Sequence, residues 1–170
     1  MDVRVRKAIS HAINRDAIVA RVMEGIATPA GQLLPAGFHG VSENMKPLKY
    51  DPELSKKLLA EAGYADGFKM TIHGPNDRYI NDAKVAEALA QMFNRIGIEA
   101  SVETMTKAVY FKRASRGGPN DSPEFSFMLL GWGAGSGEAS SPLKALLHTF
   151  DKSKGLGAAN PVSYTHLTLP

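Results

Sequence analysis

Apolar positions recur at helical spacing from the start of this chain. In residues 3–13 the predicted inward stripe is Val5, Ala8, Ile9, Ala12 and Ile13. Asn14 then has the side chain of a helix cap, and Ile18, Val19, Val22 and Met23 continue the spacing up to Gly25, a typical stop signal. Two short helices in tandem are therefore expected.

Residues 27–50 have no apolar period, because prolines and glycines recur throughout them. A new helix is predicted at Asp51-Pro52-Glu53, which offers a cap, a proline for the first turn and an early acid. Its expected inward residues are Leu54, Leu58, Leu59 and Ala62, and Gly63 ends it. The irregular stretch is thus a long crossing segment between helices.

The pattern then alternates between strand and helix. Strands are predicted at 68–73, 98–105 and 125–130, and helices at 82–96, 107–115 and 143–148. The helix at 82–96 turns Val85, Leu89, Met92, Phe93 and Ile96 inward and stops at Gly97, and Thr106 is the expected cap of the next one. This order predicts right-handed crossovers and an α/β fold with a mostly parallel sheet flanked by helices.

The composition narrows the class of protein. The apolar fraction is 44%, which is typical of a globular domain, and the apolar runs fall far short of the ~20 residues that span a bilayer. The net charge is +3, and Arg4, Arg6, Lys7 and Arg15 are too few to predict a nucleic-acid surface. No cysteine is present, so no disulfide forms, and the sequence fits a reducing and an oxidising compartment equally well.

The segment after the strand at 125–130 is the strongest candidate for a binding site. Residues 131–141 contain Gly131, Gly133, Gly135 and Gly137 around Trp132, the sole tryptophan. Glycines let the backbone approach a ligand closely, and an indole offers an apolar platform. We expect this segment to form one wall of a ligand cleft.

Parallel strands place the loops that follow them at one edge of the sheet, where ligands bind in open α/β folds. The loops at 74–79, 104–107 and 131–141 are therefore expected to converge. The candidate binding residues are Asn76, Asp77, Arg78, Tyr79, Gly131, Trp132, Gly133, Gly135, Ser136, Glu138, Ser140 and Ser141. Their polar and backbone groups suit an extended, peptide-like ligand.

Each candidate also has a purely structural interpretation. Trp132 can pack against a neighbouring helix, and Asp77 with Arg78 can form a solvated pair in a turn. Ser140 or Ser141 can cap the helix that is predicted near Pro142. The sequence alone leaves these alternatives open.

The spacing of residues along the chain excludes several well-defined nucleotide, catalytic and metal sites. Ser136 stands where a dinucleotide-binding glycine would be, no Lys-Ser or Lys-Thr pair closes a phosphate loop, and residues 134–137 lack the first glycine of a nucleophile elbow. The histidines occur singly along the chain, so no metal site and no cofactor are predicted. Binding is therefore favoured over catalysis.

Three stretches resemble one protein family. They are VRKAISHAINRDAI at 5–18, DPELSKKLLAEAGY at 51–64, and the Gly131-Trp132 pair. With them, residues 3–160 resemble the extracytoplasmic solute-binding proteins of peptide and nickel ABC importers, family 5. The resemblance implies one lobe of a bilobed periplasmic-binding-protein-like fold, which closes on a peptide or similar small organic solute and delivers it to permease subunits.

The resemblance also implies a place outside the cytoplasm. Residues 1–7 are charged and lack a secretory signal. The resemblance therefore implies a signal peptide and a first lobe upstream of them, with contact to the membrane only through the permease or a lipid anchor. Residues 1–161 are then a single α/β lobe of a larger protein. Residues 162–170 have the character of a non-native tail, with a short C-terminal strand as the alternative.

One position departs from the family pattern. Members that bind a peptide's free amino terminus often carry an aspartate three residues after the Gly-Trp pair, and that position is Gly135. Either the nearest acid, Glu138, takes its place or the ligand has no ammonium group there. The second hypothesis for the whole chain is a small α/β enzyme that uses Asp77 or Glu138 as acid or base.

Overall fold

The computed structural model describes residues 2–115, 124–133, 135–149, 151 and 153–157. Its helices are α1 (Val3–Ala12), α2 (Arg15–Arg21), α3 (Pro52–Glu61), α4 (Asp82–Asn94), α5 (Lys107–Ser115) and α6 (Ser140–Pro142), which continues as the π-helical turn Leu143–Leu147. Its strands are β1 (Lys69–Pro75) and β2 (Glu99–Met105). The predicted tail at 162–170 lies outside the described residues.

The chain divides into two compact units. Unit 1 comprises Met1–Pro29, Pro47–Lys107 and Phe127–Leu129, and unit 2 comprises the described residues of Ala30–Lys46, Ala108–Ser126 and Leu130–Pro170. The crossing segment that shows no period thus supplies part of unit 2. The prediction of one lobe over 1–161 concerns the whole protein and stays a prediction.

Two helix starts are built as the sequence predicts. The side-chain oxygen of Asn14 accepts from the N–H of Ala17 at 2.9 Å, and Asp51 accepts from the N–H of Leu54 at 2.9 Å. Each cap satisfies a donor that a helix otherwise leaves unpaired in its first turn. The proline cue at residue 52 is also confirmed, since Pro52 is the first residue of α3.

The sheet is parallel, as predicted, and lies in unit 1. β1 and β2 pair from Lys69 opposite Glu99 to Pro75 opposite Met105. The third predicted strand, 125–130, is too long, because only Phe127–Leu129 joins β1. There the backbone N–H of His73 donates to the Phe127 carbonyl at 3.0 Å, and the backbone carbonyl of His73 accepts from Leu129 N–H at 2.8 Å.

Phe125 leaves this pairing because its ring has another partner. In unit 2 it stacks on the buried ring of Tyr110 in α5, with the ring centroids 5.5 Å apart, and the Arg113 guanidinium lies over the Phe125 ring, 4.9 Å from its centroid. Arg113 also forms an ion pair with Glu124. Burial of two aromatic rings therefore takes this end of the apolar run away from the sheet.

The core of unit 1 lies on one face of the sheet. Ile72, Ile98 and Phe93 are fully buried there, and α1 and α3 add Val5, Ala8, Ile9, Ala12 and Leu59. The prediction was wrong for α2, which has no buried residue: Ile18, Val19, Val22 and Met23 are half-buried. In α4, Val85 and Met92 are half-buried while Ala86 and Ala90 are buried.

The opposite face of the sheet is polar. Thr71 and Ser101 hydroxyls lie 3.0 Å apart, Lys69 is 3.3 Å from Glu99, and His73 Nε2 is 3.4 Å from a Glu103 oxygen. These pairs lie directly across from one another in the register of β1 and β2. Parallel sheets are usually covered on both faces, so this face departs from the expected pattern.

Asn94 closes part of the outer edge of β2. Its amide accepts from the N–H of Ala100 at 2.9 Å and donates to the Ala100 carbonyl at 3.3 Å. The side chain therefore binds the two backbone groups that a further strand would use.

In unit 2, one side-chain pairing and one backbone pairing fix the crossing segment. Gln32 donates to the Ser42 carbonyl at 2.7 Å and accepts from Ser42 N–H at 3.0 Å, which closes the loop between them. Further along this loop, His39 N–H donates to the Gly137 carbonyl at 3.2 Å, and Ala139 N–H donates to the His39 carbonyl at 2.9 Å. The crossing segment thus has a defined fold despite its irregular sequence.

None of the described helices combines the length and the apolar character needed to cross a membrane.

Candidate functional site

The loops after β1 and β2 meet at the carboxyl edge of the sheet in unit 1. Asn76 N–H donates to the Met105 carbonyl at 3.0 Å, and a carboxylate oxygen of Asp77 accepts from Lys107 N–H at 2.6 Å. The second bond satisfies a donor at the start of α5, where the sequence pointed to Thr106. Asn76 and Asp77 nevertheless remain exposed.

Asp82 shapes the rest of the first loop. Its buried carboxylate accepts from the N–H groups of Arg78 and Tyr79, both at 3.0 Å, and from Ala83 N–H at 2.9 Å. The Arg78 guanidinium lies 5.4 Å from the centre of the Tyr79 ring. Sequence reasoning placed Asp82 only at a helix start, although an acid there is a recognisable anchor for the preceding turn.

Asn81 stabilises the same turn from the other side. It has a φ of +54°, in the left-handed region, and its side-chain N–H donates to the Val22 carbonyl at 2.8 Å. Asparagine tolerates this conformation better than most residues, so the turn before α4 has a suitable sequence. The bond connects the end of α2 with the start of α4.

The glycine segment belongs to unit 2 and is largely exposed. Trp132 is 38% exposed, and Gly131, Gly133, Gly135 and Ser136 are also classed as exposed. A Cβ atom added at Gly133 or Gly135 would meet no atom within 4 Å, so the space at these glycines is open. The surface of this segment is accessible to a solute.

Glu138 organises the end of the glycine segment. One carboxylate oxygen accepts from the hydroxyls of Ser140, at 2.6 Å, and Ser136, at 3.1 Å, and the other accepts from Ser140 N–H at 2.9 Å. The hydrogen bonds from Ser140, above all from its hydroxyl, lower the pKa of Glu138, and Ser136 and Lys144 contribute to the shift. The carboxylate therefore stays ionised and anchors the start of α6.

The hydrogen bonds of Glu138 bear on the alternative role of Ser140 or Ser141 as a helix cap. Ser140 was considered as a helix cap, but its side chain donates to Glu138, which supplies the capping oxygen. Ser141 is half-buried within α6. The backbone pairing of His39 on both sides of Glu138 was not predicted, because residues 27–50 have no period that would indicate an extended partner.

The structure thus joins the loops at 74–79 and 104–107 by direct hydrogen bonds, and it shows the glycine segment as an exposed surface of unit 2. Convergence of all three segments on one solute remains a prediction. In the part of the chain that the structure describes, no three His, Asp or Glu side chains gather to hold a metal ion.

The sequence was compared with known proteins. The family described as "Bacterial extracellular solute-binding proteins, family 5 Middle" matches residues 1–154. The dipeptide-binding protein of Escherichia coli K12 is 31% identical over 81% of this chain and 25% of its own length. The glutathione-binding protein of Salmonella choleraesuis is 34% identical over 84% of this chain and 27% of its own.

A solved structure supports the fold. The dipeptide-binding protein of Pseudoalteromonas sp. SM9913, in complex with Met-Leu, superposes with a TM-score of 0.78, at 27% identity, over 96% of this chain and 31% of that one. The chain therefore spans about a quarter to a third of the length of these relatives. Together with the parallel sheet and its flanking helices, these matches confirm an α/β fold that is consistent with one lobe of a periplasmic binding protein. The chain belongs to the bacterial extracellular solute-binding proteins of family 5.

Proposed function

We propose that the protein containing this chain binds a peptide or similar small organic solute outside the cytoplasm and delivers it to the permease of an ABC importer. The observation that carries the proposal is the match of residues 1–154 to the family, together with relatives named for binding dipeptides and glutathione. Those names cover molecules with peptide bonds and charged ends, so solutes of this chemistry are the first to test.

The exposed glycine segment supports a binding role. Trp132 directly follows Gly131 and offers an apolar face, a Cβ added at Gly133 or Gly135 would meet open space, and the hydroxyls of Ser136, Ser140 and Ser141 lie nearby in sequence. Backbone groups and one aromatic platform suit an extended ligand whose main chain needs hydrogen-bond partners. We propose that these residues, with Glu138, form one wall of the solute site.

The edge of the sheet in unit 1 is the second proposed wall. Asn76, Asp77 and Arg78 are exposed there, and Tyr79 is half-buried. Asp82 and Asn81 hold this turn by hydrogen bonds, so its side chains project from a defined backbone. A preorganised turn of this kind costs less entropy when a ligand binds.

Catalysis by Asp77 or Glu138 has less support. A general acid works best when its pKa lies near the working pH, whereas hydrogen bonds lower the pKa of Glu138. Asp77 already accepts from a backbone N–H at the start of α5. Relatives named as binding proteins point the same way, so we propose binding without turnover.

The proposal includes a compartment and partners. The family is described as extracellular, and a relative from Helicobacter pylori is named as a periplasmic binding protein. We therefore propose an extracytoplasmic location, permease subunits as protein partners, contact with the membrane only through them or a lipid anchor, and no nucleic-acid partner.

The test uses the full-length protein. Titration calorimetry with Met-Leu, glutathione and a panel of other peptides and organic acids is expected to give saturable one-to-one binding for at least one solute. That solute is expected to be recovered from the protein chemically unchanged. Consumption of a bound solute, at a rate lost in Asp77→Asn or Glu138→Gln, would support the enzyme hypothesis instead. Absence of binding across the panel would count against the proposed solute class.

A further inference from the structure

The loop at residues 38–40 is fixed to the end of the glycine segment within unit 2. His39 pairs with Glu138 as in a parallel sheet, because its N–H donates to the Gly137 carbonyl at 3.2 Å and its carbonyl accepts from Ala139 N–H at 2.9 Å. These two bonds lie on either side of the carboxylate that anchors the start of α6. The crossing segment therefore holds the glycine segment through backbone groups at this point.

The loop that carries His39 is closed by hydrogen bonds of its own. The side chain of Gln32 pairs with both backbone groups of Ser42, and Val41 N–H donates to the Phe38 carbonyl at 3.2 Å. Leu34, in the same loop, is buried. The backbone partner of the glycine segment thus has a defined conformation.

Gly40 lets the two segments approach closely. Its φ is +82°, and a Cβ atom added there would lie 3.1 Å from the Cβ of Ala139, which is tighter than side chains normally pack. Gly37, in the same loop, has a φ of +93°, but a Cβ atom there would meet no atom within 4 Å. Both positions favour glycine for their backbone conformation, and Gly40 is needed for the contact with Ala139 as well.

This contact matters because the segment it holds is rich in glycine. Residues 131–137 contain four glycines, and glycine loses more backbone entropy on becoming ordered than other residues do. Ordering that takes place when a solute binds lowers the affinity for that solute. Bonds to His39 that form on folding transfer this entropic cost from binding to folding.

We propose that Gly40 and the backbone of His39 are positioning residues of the solute site. They hold residues 137–139, and thereby the carboxylate of Glu138, in the conformation that the solute meets, and they act without touching the solute. The inference rests on the proposed function, in which the glycine segment is one wall of the solute site. It adds the crossing segment, which has no place in the two proposed walls, to the residues that determine affinity.

The experiment measures the affinity of full-length variants for Met-Leu and for glutathione by titration calorimetry. The test variant is Gly40→Ala and the matched control is Gly37→Ala, since both add one Cβ atom at a glycine of positive φ in the same loop. Gly40→Ala is expected to raise Kd about fivefold, while the control stays within about twofold. Combining Gly40→Ala with Ala139→Gly removes the atom that the new Cβ meets and should restore most of the affinity.

A second variant, Ala139→Pro, tests the hydrogen bond instead of the space. The φ of Ala139 is −79°, which proline also adopts, and the substitution deletes the N–H that donates to His39. Its Kd is expected to rise in the same direction as that of Gly40→Ala. An unchanged Kd in Ala139→Pro would contradict the positioning role of His39.

Hydrogen exchange followed by mass spectrometry gives a readout that does not depend on the solute. Peptides that contain Ala139 should exchange faster in Gly40→Ala than in Gly37→Ala, and at the wild-type rate in the double variant. Equal exchange and equal Kd in Gly40→Ala and Gly37→Ala would overturn the positioning role, whatever the unfolding midpoints are. If the wild type binds neither Met-Leu nor glutathione, the proposed peptide class fails, whereas the exchange comparison still decides whether Gly40 holds the segment.

Discussion

The carboxylate of Glu138 accepts hydrogen bonds from both the backbone N–H and the hydroxyl of Ser140, at 2.9 and 2.6 Å. This pair makes Glu138 a structural anchor of the segment that contains Trp132. An acid in such a position orients the loop whether or not it also contacts a solute. Its hydrogen bonds predict a contribution to stability that depends on pH.

Replacement of Glu138 by Gln is expected to destabilise the start of α6 at neutral pH. Its pKa is lower in the folded protein, so its contribution is present above the ordinary glutamate pKa and is lost as the pH falls through the folded value. Thermal unfolding of full-length wild type and variant should therefore differ at pH 7 and converge under acid conditions. A difference that persists at low pH would contradict the capping role, and Glu43→Gln, at an exposed acid of unit 2, is the control.

Trp132→Ala is expected to weaken solute binding in the full-length protein by about tenfold or more, because an aromatic platform is a typical centre of binding energy. The side chain is 38% exposed, so the fold should tolerate the change. Calorimetry measures the affinity, and far-ultraviolet circular dichroism checks the fold. Trp132→Phe should retain most of the affinity; an unchanged Kd in the alanine variant would remove Trp132 from the site.

Asp77→Ala is expected to cost about 1 kcal/mol of stability, since the variant loses the acceptor of Lys107 N–H at the start of α5. Urea denaturation measures this loss, and Arg78→Ala at the neighbouring exposed position is the control. Unchanged stability would contradict the capping role, whereas a fall in solute affinity would support the proposed place of the Asp77 carboxylate in the second wall.

Gly67→Ala should be far more damaging than Gly63→Ala. Both glycines have positive φ, +74° and +87°, so both substitutions incur the backbone cost of about 1 kcal/mol. A Cβ at Gly67 would also lie 1.7 Å from the Gly97 carbonyl oxygen, whereas at Gly63 it would meet nothing within 4 Å. Equal unfolding midpoints for the two variants would show that this close approach is absent.

Phe93→Ala tests the core of unit 1. The side chain is fully buried, and its ring packs edge-on against Phe127 at 5.6 Å between centroids. Removal of a buried aromatic ring should cost about 3–5 kcal/mol, measured by urea unfolding. Val3→Ala, at a position 52% exposed, is the control and should be nearly neutral.

The sequence predicted the elements whose signals are local. Asn14 and Asp51 are capping residues in the structure, and α5 covers the predicted Lys107–Ser115. Parallel pairing of β1 and β2 followed from the alternation of strands and helices. These features depend on short-range spacing, which a single sequence records directly.

The errors concern distant partners. The third strand is shortened because Phe125 packs on Tyr110, and this contact has no local signal. Ser55 was absent from the predicted core, yet its buried hydroxyl lies 2.8 Å from the Ala8 carbonyl oxygen on α1. The candidate binding residues in the two units share only their position in loops that follow strands, and a common role for them depends on packing that residue spacing does not specify.

The amide of Asn94 has a consequence beyond the fold of one molecule. By occupying the outward N–H and carbonyl of Ala100, it denies those groups to an incoming peptide strand. Another polypeptide would have to displace this side chain before it could extend the β2 ladder at that residue. If the protein binds peptides, as we propose, this side chain makes the exposed edge of β2 a poor template for an unfolded peptide, so bound solute is less prone to add to the sheet there.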